Sequence, residues 1–363
     1  MSILDSARRR AAAGGVALVV ALVLAAAAAA GPSRVLVAYN LYPLVSDGPG
    51  VAAPLGDSSL VNGWGLSASP TSPWWTSNNK TNTASLYSGV GAKNPLTVTV
   101  PGGPTGTVAN TDPTAFVVAQ NGVSSSARFL FATEAGQILG WSPTVSSASA
   151  VVAVDNSPAR AKYQGLTTLN DRLYATDFHN ARVDVFDAAF KPVTLTKAFT
   201  DPKIPTGWAP FGIQAVNGEI FVTYVKQDKA KEDAVRGGGL GYVDEFTPDG
   251  ALVARVASKG SAKTPLNAPW GLASAPANFG AYSGDLLVGN FGNGRISAYQ
   301  KLATGRWVYK GQIRTAGGNP IVIDGLWAIA FGNGAAAGPT NNLYFLAGPT
   351  GETHGLYGFI AAG

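Results

Sequence analysis

The chain has 363 residues, only 13% of them charged, with 45 Gly, 23 Pro, 2 His and no Cys. Setting aside Asp5, Arg8, Arg9 and Arg10 with a leader leaves 23 basic against 20 acidic side chains, a balance of +3 instead of +5. So small an excess, with no basic stripe, argues against nucleic acid as a partner, and without cysteine stability must come from packing.

The N-terminus reads as a leader. "ARRR" (7–10) is followed by "GGVALVVALVLAAAAAAG" (14–31), an apolar stretch with an Ala-x-Ala-like site near Ala28 to Ala30. The apolar run after Gly15 is about 15 residues, short of the roughly 20 that a spanning helix needs. Residues 1–30 are therefore expected to be a signal peptide, the alternative being an uncleaved anchor, and residues 31–363 a single domain with no transmembrane span. The body is expected outside the cytoplasm, whether secreted, periplasmic, extracellular or anchored facing outward. The arginines leave a twin-arginine route open.

Past residue 35 no helical period is sustained. Runs of four to seven Val, Leu, Tyr and Phe residues alternate with Gly, Pro, Asn and Asp, the pattern of short strands and turns. The runs repeat. "LYATDFHNARVDVF" (173–186) aligns without a gap on "LLVGNFGNGRISAY" (286–299). "TSNNKTNTASLY" (76–87), "FLFATEAGQILGWS" (129–142) and "NLYFLAGPTGETHGLYGF" (342–359) fit the same hairpin, and so does 219–246 with a long insertion. A second element, "LVNGWGLSASP" (60–70) or "LNAPWGLASAP" (266–276), precedes most hairpins, with looser copies at 163–169, 208–216 and 323–331. Its small residues suit a strand packed closely around an axis. A fourth run usually follows, at 96–100, 150–155, 197–200, 251–257 and 307–313. Four strands per unit and six units of about 50 residues predict an all-β, six-bladed β-propeller. The last unit stops after three strands. "RVLVAYNLYPLV" (34–45) is expected to supply the fourth, closing the ring and removing exposed edges.

The hairpin "LYATDFHNARVDVF" resembles the NHL-repeat pattern. "LVSDGPGVAA", "LVNGWGLSASP", "DFHNARVDVFD", "VTYVKQD", "LNAPWGLA", "DLLVGNFGNGRI" and "AGPTGETHGLYG" together resemble an uncharacterised family of exported NHL-like propellers, over about residues 39 to 360. Some of its members carry a PEP-type C-terminal sorting signal; this chain ends in "GFIAAG", without that pattern. The resemblance implies fold and export but no chemistry.

Candidate site residues follow from the repeat. His179 in unit 3 and His354 in unit 6 belong on one face, on opposite sides of the axis. His179 stands opposite Gly292 in the alignment, which suggests a turn position with φ > 0. Asn78, Asp177 and Asn290 share one repeat position, read as an Asx turn bonding the backbone two residues on, or as a ring of oxygen ligands for Ca²⁺ or another divalent cation, joined by Glu134, Asp324 and Glu352. Trp64 and Trp270 enter inner strands, and Trp208 and Trp327 lie at comparable points, near Phe211. They either pack between blades or line the channel mouth against a sugar or aromatic ligand. "KQDKAKEDAVRGGG" (226–239) is charged and Gly-rich, hence expected to be a mobile loop, either simply solvated or a lid. The chain is expected to be a monomeric exported binding or interaction module for a small molecule, saccharide or protein. The alternative is a metal-dependent hydrolase or lactonase with its site in the channel. With no acidic residue placed beside a general base, the balance leans away from an enzyme.

Overall fold

The computed structural model describes residues 38–258 and 265–363. The leader and Arg34–Val37 of the expected closing strand lie outside the described residues. Residues 38 onward form a six-bladed β-propeller. Blade 1 consists of Gly63–Ser67, Trp74–Asn78, Thr83–Tyr87 and Lys93–Thr99, from the inside outward. Blade 2 is Pro104–Ala109, Phe129–Thr133, Gln137–Trp141 and Val151–Asp155. Blade 4 is Trp208–Val216, Glu219–Lys226, Tyr242–Phe246 and Leu252–Ala257. Blade 5 is Pro269–Ser274, Leu286–Asn290, Arg295–Lys301 and Trp307–Gln312. Blade 6 is Leu326–Phe331, Leu343–Ala347 and Leu356–Ala362, completed by Tyr39–Ser46.

That last pairing is the predicted closure. Tyr39–Ser46 runs antiparallel to Leu356–Ala362, from Tyr39 opposite Ala362 to Ser46 opposite Leu356. Tyr39 and Val45 are fully buried, and the Tyr39 hydroxyl donates to Phe279 O at 2.8 Å in blade 5. The strand is followed by Asp57, which accepts from Tyr87 Oη and Lys93 Nζ of blade 1. One chain end thus fastens blades 5, 6 and 1 together.

Blade 3 departs from the expected pattern. It has three strands, Tyr163–Leu169, Arg172–Asp177 and Arg182–Phe186, and residues 197–200 are not a strand. Ala198 and Phe199 both hold positive φ, 45° and 51°, which no extended strand accommodates. Phe199 instead inserts between blades, 5.8 Å from the Tyr174 ring and 5.4 Å from Phe246. The inner strand of blade 2 has no aromatic residue and gives no signal of the kind seen at 60–70. Blade 2 also carries an extra hairpin, Val117–Gln120 with Val123–Ser126, turning at Asn121 and Gly122 with φ of 52° and 79°, as Asn-Gly favours.

One device repeats in all six blades. Where the inner strand pairs with the second strand, three inner-strand steps oppose two, as between Gly63/Leu66 and Asn78/Thr76. The same shift occurs at Pro104/Thr107, Tyr163/Leu166, Pro210/Ile213, Pro269/Leu272 and Leu326/Ile329. Each is a β-bulge with one extra residue on the inner strand. The two bulged residues are Trp64-Gly65, Thr105-Gly106, Gln164-Gly165, Phe211-Gly212, Trp270-Gly271 and Trp327-Ala328. The second must be small because the next blade's backbone lies against it. A Cβ on Gly65 would meet Thr105 O at 2.3 Å, and one on Gly212 would meet Trp270 O at 1.9 Å. Gly106, Gly165 and Gly271 face the following inner strand at 2.6 to 2.9 Å in the same way.

Two outcomes are expected. Gly212→Ala should cost about 3 kcal/mol, the upper range for overpacking, whereas Gly56→Ala, where a Cβ meets nothing within 4 Å, should stay within about 0.5 kcal/mol; urea melts of both variants check this. A chain starting after Ser46 should lose at least about 4 kcal/mol relative to one starting at Gly31, from the burial of Tyr39 and Val45 alone, or be insoluble. Equal melting of the two chains would refute the closure.

Candidate functional site

The upper face carries the loops between second and third strands and those leading into the inner strands. Below it the first bulge residues project as one layer and close the channel. Trp327 stacks on Trp64 and on Phe291, each at 3.8 Å between centroids, with Phe211 at 5.8 Å and Trp270 edge-on at 5.9 Å. Phe178 extends the cluster against Phe211 at 5.5 Å. All of these rings are buried.

A cavity of about 370 Å³ sits on this aromatic floor, lined by Trp64, Gln164, Phe211, Phe291 and Trp327 below and by Lys80, Glu134, Glu232, Asp233, Arg236 and Glu352 around its rim. The rim is a hydrogen-bonded circuit. Trp327 Nε1 donates to Asn62 Oδ1 at 2.9 Å. Asn62 Nδ2 donates to Asn79 Oδ1 and to Glu352 Oε2, both at 3.2 Å. Asn79 Nδ2 donates to Glu134 Oε2 at 2.8 Å, and Lys162 Nζ lies 3.2 Å from Glu134 Oε1 and 3.4 Å from Glu232 Oε2.

Glu232 and Arg236 belong to the insertion between Lys226 and Tyr242 of blade 4. It crosses the mouth as a strap packed against neighbouring blades, where the sequence reads as a simply solvated loop or a lid. Toward blade 3, Glu232 stands 3.3 Å from His179 Nδ1 and 3.7 Å from Arg160 Nη2, and Gln227 Nε2 donates to Phe178 O at 2.6 Å. Toward blade 6, Arg236 Nη2 donates to Glu352 Oε1 at 2.8 Å, with its guanidinium 4.0 Å over the Phe291 ring of blade 5. Gly237 N donates to Asn267 Oδ1 at 2.8 Å. Charged residues that read as solvated in the sequence find partners on three other blades, and that anchors the segment.

The structure brings Trp64, Glu134, Trp327 and Glu352 together at the mouth. Asn78, Asp177 and Asn290 do hold equivalent places, but each is fully buried and bonded within its own blade. Asp177 accepts from Lys162 N at 3.1 Å and, three residues on, from Asn180 N at 3.2 Å. Asn290 accepts from Asn267 N at 2.9 Å and donates to Arg295 O at 3.0 Å. Asn78 bonds Thr76, Thr83 and Ser85. These are strand-end ties, not two-residue Asx turns and not channel ligands. Trp270 lines a separate cavity at the other end. Asp324 is exposed and accepts from Thr350 N at 2.7 Å. His354 Nδ1 pairs with Asp47 Oδ2 at 2.9 Å, away from the mouth. His179 is not the positive-φ position of its turn; that is Ala181 (54°), matched by Gly294 (68°). Gly292, opposite His179, is glycine because a Cβ would strike Asn267 Oδ1 at 1.9 Å.

A divalent cation does not fit this rim. Each oxygen of Glu134 and Glu352 already meets a nitrogen donor, from Asn62, Asn79, Lys162 or Arg236, so a divalent cation would have to displace these partners before the two carboxylates could converge on it. Among the described residues no group of three or more His, Asp or Glu stands close enough to hold a metal. Burial raises the Glu352 carboxyl above its ordinary 4.5, Glu134 and Asp233 add to the rise, and Arg236 and Lys80 oppose it. Burial pulls Lys162 down, but the carboxylates of Glu134, Asp233 and Glu232 outweigh it and raise the ammonium overall. Sequence reasoning missed Asn62, Asn79, Lys80, Lys162, Gln164 and Phe291; only the length of the 226–239 insertion pointed to the strap.

No helix among the described residues is long and apolar enough to cross a membrane. No protein-family model matches the chain. Three uncharacterized proteins of Acanthamoeba polyphaga mimivirus are similar to it. The first is 32% identical over 222 residues, and the match spans 59% of this chain but only 40% of the viral protein. The second is 29% identical over 91% of this chain and 82% of its own length. Among solved structures, a streptogramin B lyase superposes with a TM-score of 0.51 at 12% identity, covering 90% of this chain and 97% of that one. A Bacteroides thetaiotaomicron protein of unknown function gives 0.56 at 13% identity, covering 89% and 76%. At such identities the two structures share the fold. The third mimivirus protein is 30% identical over 91% of this chain and 87% of its own length, and this chain belongs to its family, an uncharacterized family with the six-bladed propeller fold.

Proposed function

We propose that the chain is a binding module whose ligand is a small organic cation held at the upper mouth. One observation carries this reading: the mouth already holds a cation of its own. The Arg236 guanidinium sits on the Phe291 ring and against Glu352, so floor and rim together provide an aromatic face and a carboxylate for positive charge. The lining has four carboxylates, Glu134, Glu232, Asp233 and Glu352, with Lys80 and Arg236; Glu134 and Glu232 are already paired with Lys162 and Arg160, which leaves Glu352 and Asp233 as the carboxylates for a ligand. The buried Gln164 Oε1 has no hydrogen-bond partner and is an acceptor for an ammonium or guanidinium N–H. The volume, about 370 Å³, is in the range of small-molecule sites.

Choline and agmatine serve as probes, read by indole fluorescence and calorimetry. Binding of at least one should weaken with added salt and fall about tenfold or more in Glu352→Gln, the equivalent of about 1.4 kcal/mol. The pH dependence has a definite sign. The cation needs the ionised carboxylate, so affinity is full above the folded pKa of Glu352 and falls as pH drops through it; because burial raises that pKa, the fall begins above the ordinary range of a glutamate. Equal binding of choline and its uncharged tert-butyl analogue would sink the reading.

The N-terminal pattern of basic residues followed by an apolar stretch supports export of the chain. Protein recovered from an exporting host should begin near Gly31. A soluble product whose intact mass retains Met1 would contradict this.

A further inference from the structure

The channel has a second cavity, at the end opposite the strap. It has a volume of about 420 Å³ and is walled by the inner strands of all six blades beyond their bulges. Its lining contains no charged residue, in contrast to the mouth. It does contain Trp74 and Trp270, nine-tenths or more buried, whose indole N–H groups have no hydrogen-bond partner. Buried donors without partners are uncommon, and each calls for an explanation.

The remaining polar groups of the wall offer both donors and an acceptor. Ser67 Oγ and Thr167 Oγ1 each accept a backbone N–H, from Ala109 and Ala215, which leaves the hydroxyl proton of each to donate. The side chain of Gln214 makes a long donation, 3.3 Å, to Ala215 O, and its amide oxygen is open. Aliphatic side chains such as Leu66, Ile213 and Ile329 fill the spaces between them. Neutral hydrogen-bonding groups on an apolar and indole-bearing wall match a ligand that carries many hydroxyls and no charge. An ionic ligand would find no counter-charge here and would lose its hydration without compensation.

We propose that this lower cavity is a binding site for an uncharged polyhydroxylated ring, a saccharide unit. Its acceptor oxygens take the indole N–H groups of Trp74 and Trp270, and one of its hydroxyls donates to Gln214. The site is independent of the one at the mouth, because the aromatic layer of Trp64, Trp327 and Phe291 lies between them.

The full chain is titrated with glucose, N-acetylglucosamine and maltose, by calorimetry and indole fluorescence. At least one should bind saturably, with an affinity that changes less than about twofold between low and high salt, since no charge is involved. That affinity should drop about tenfold in Trp270→Phe, which keeps an aromatic ring but removes the donor, and in Gln214→Ala, whose partly exposed side chain leaves the fold intact should Trp270→Phe fail to express. Glu352→Gln, which disables the mouth, should leave it unchanged. Absence of saturable binding of all three sugars up to about 100 mM, far above a millimolar Kd, overturns the proposal. So does sugar binding that persists in both Trp270→Phe and Gln214→Ala, or that is lost in Glu352→Gln.

Discussion

The architecture depends on the approach of one inner strand's backbone to the next. Six strands set around an axis must converge, and five of the six bulges place glycine where a Cβ would overlap a neighbour's backbone. The bulge and the glycine act together. The extra residue bends the strand and turns its first bulged side chain toward the axis, while the glycine lets the next blade's carbonyl come within van der Waals range. In blades 3 and 4 side-chain hydroxyls satisfy backbone groups that the bulge unpairs: Gly165 N donates to Thr176 Oγ1 at 2.7 Å, Gly212 N to Thr223 Oγ1 at 2.8 Å, and Thr176 Oγ1 in turn to Phe211 O of the next blade at 2.7 Å. The junction in these two blades is thereby paired, as buried backbone requires.

From that constraint follow the plug and both cavities. Because each bulge aims one side chain inward at the same height, six side chains form a single layer, and four of them are aromatic. The layer leaves free volume above and below. Above it, loops from every blade converge, and loops tolerate charge. Below it, the walls are strand ends whose neighbours are other strands, and there charge has no partner. The two ends of one channel therefore differ in electrostatic character for reasons of topology alone.

The repeat pattern was legible because hairpins must alternate apolar and polar residues and must turn at Asn, Asp or Gly. So was the closure, since a unit with three strands leaves an edge to be covered. Blade 3 was misread because "KAFT" has strand-like composition; its two positive φ values come from docking Phe199 between blades, which no local signal encodes. The inner strand of blade 2 was missed because Thr105 stands where four of the other five blades carry an aromatic, and blade 3, with Gln164 there, still has Tyr163 beside it, although Gly106 keeps the small residue that the packing demands. At the site, Trp64, Trp327, Glu134 and Glu352 were legible as candidates but their company was not. Lys162 and Asn62 look like ordinary loop residues until the ring brings them beside carboxylates from other blades.

The strap adds a last step. Its charged residues would gain little as exposed ion pairs, the usual value being under about 1 kcal/mol. Here they bridge four blades, and each partner is itself fixed: Glu352 by Asn62, Lys162 by Glu134, Phe291 by stacking on Trp327. Pairs whose partners are already ordered cost less entropy to form, so the strap borrows rigidity from the same aromatic layer that the bulges create. Its anchoring is asymmetric, however. The blade 3 end is held through Gln227 to backbone oxygens, and beyond Arg236 the backbone is tied to blade 5 through Gly237 N and Gly239 N, whereas the contact with blade 6 is Arg236 alone, half-exposed and shared between Glu352 and Phe291. A competing cation would act on that one side chain, exchanging with the guanidinium at Glu352 and Phe291, while the backbone ties of the strap to blades 3 and 5 stay in place.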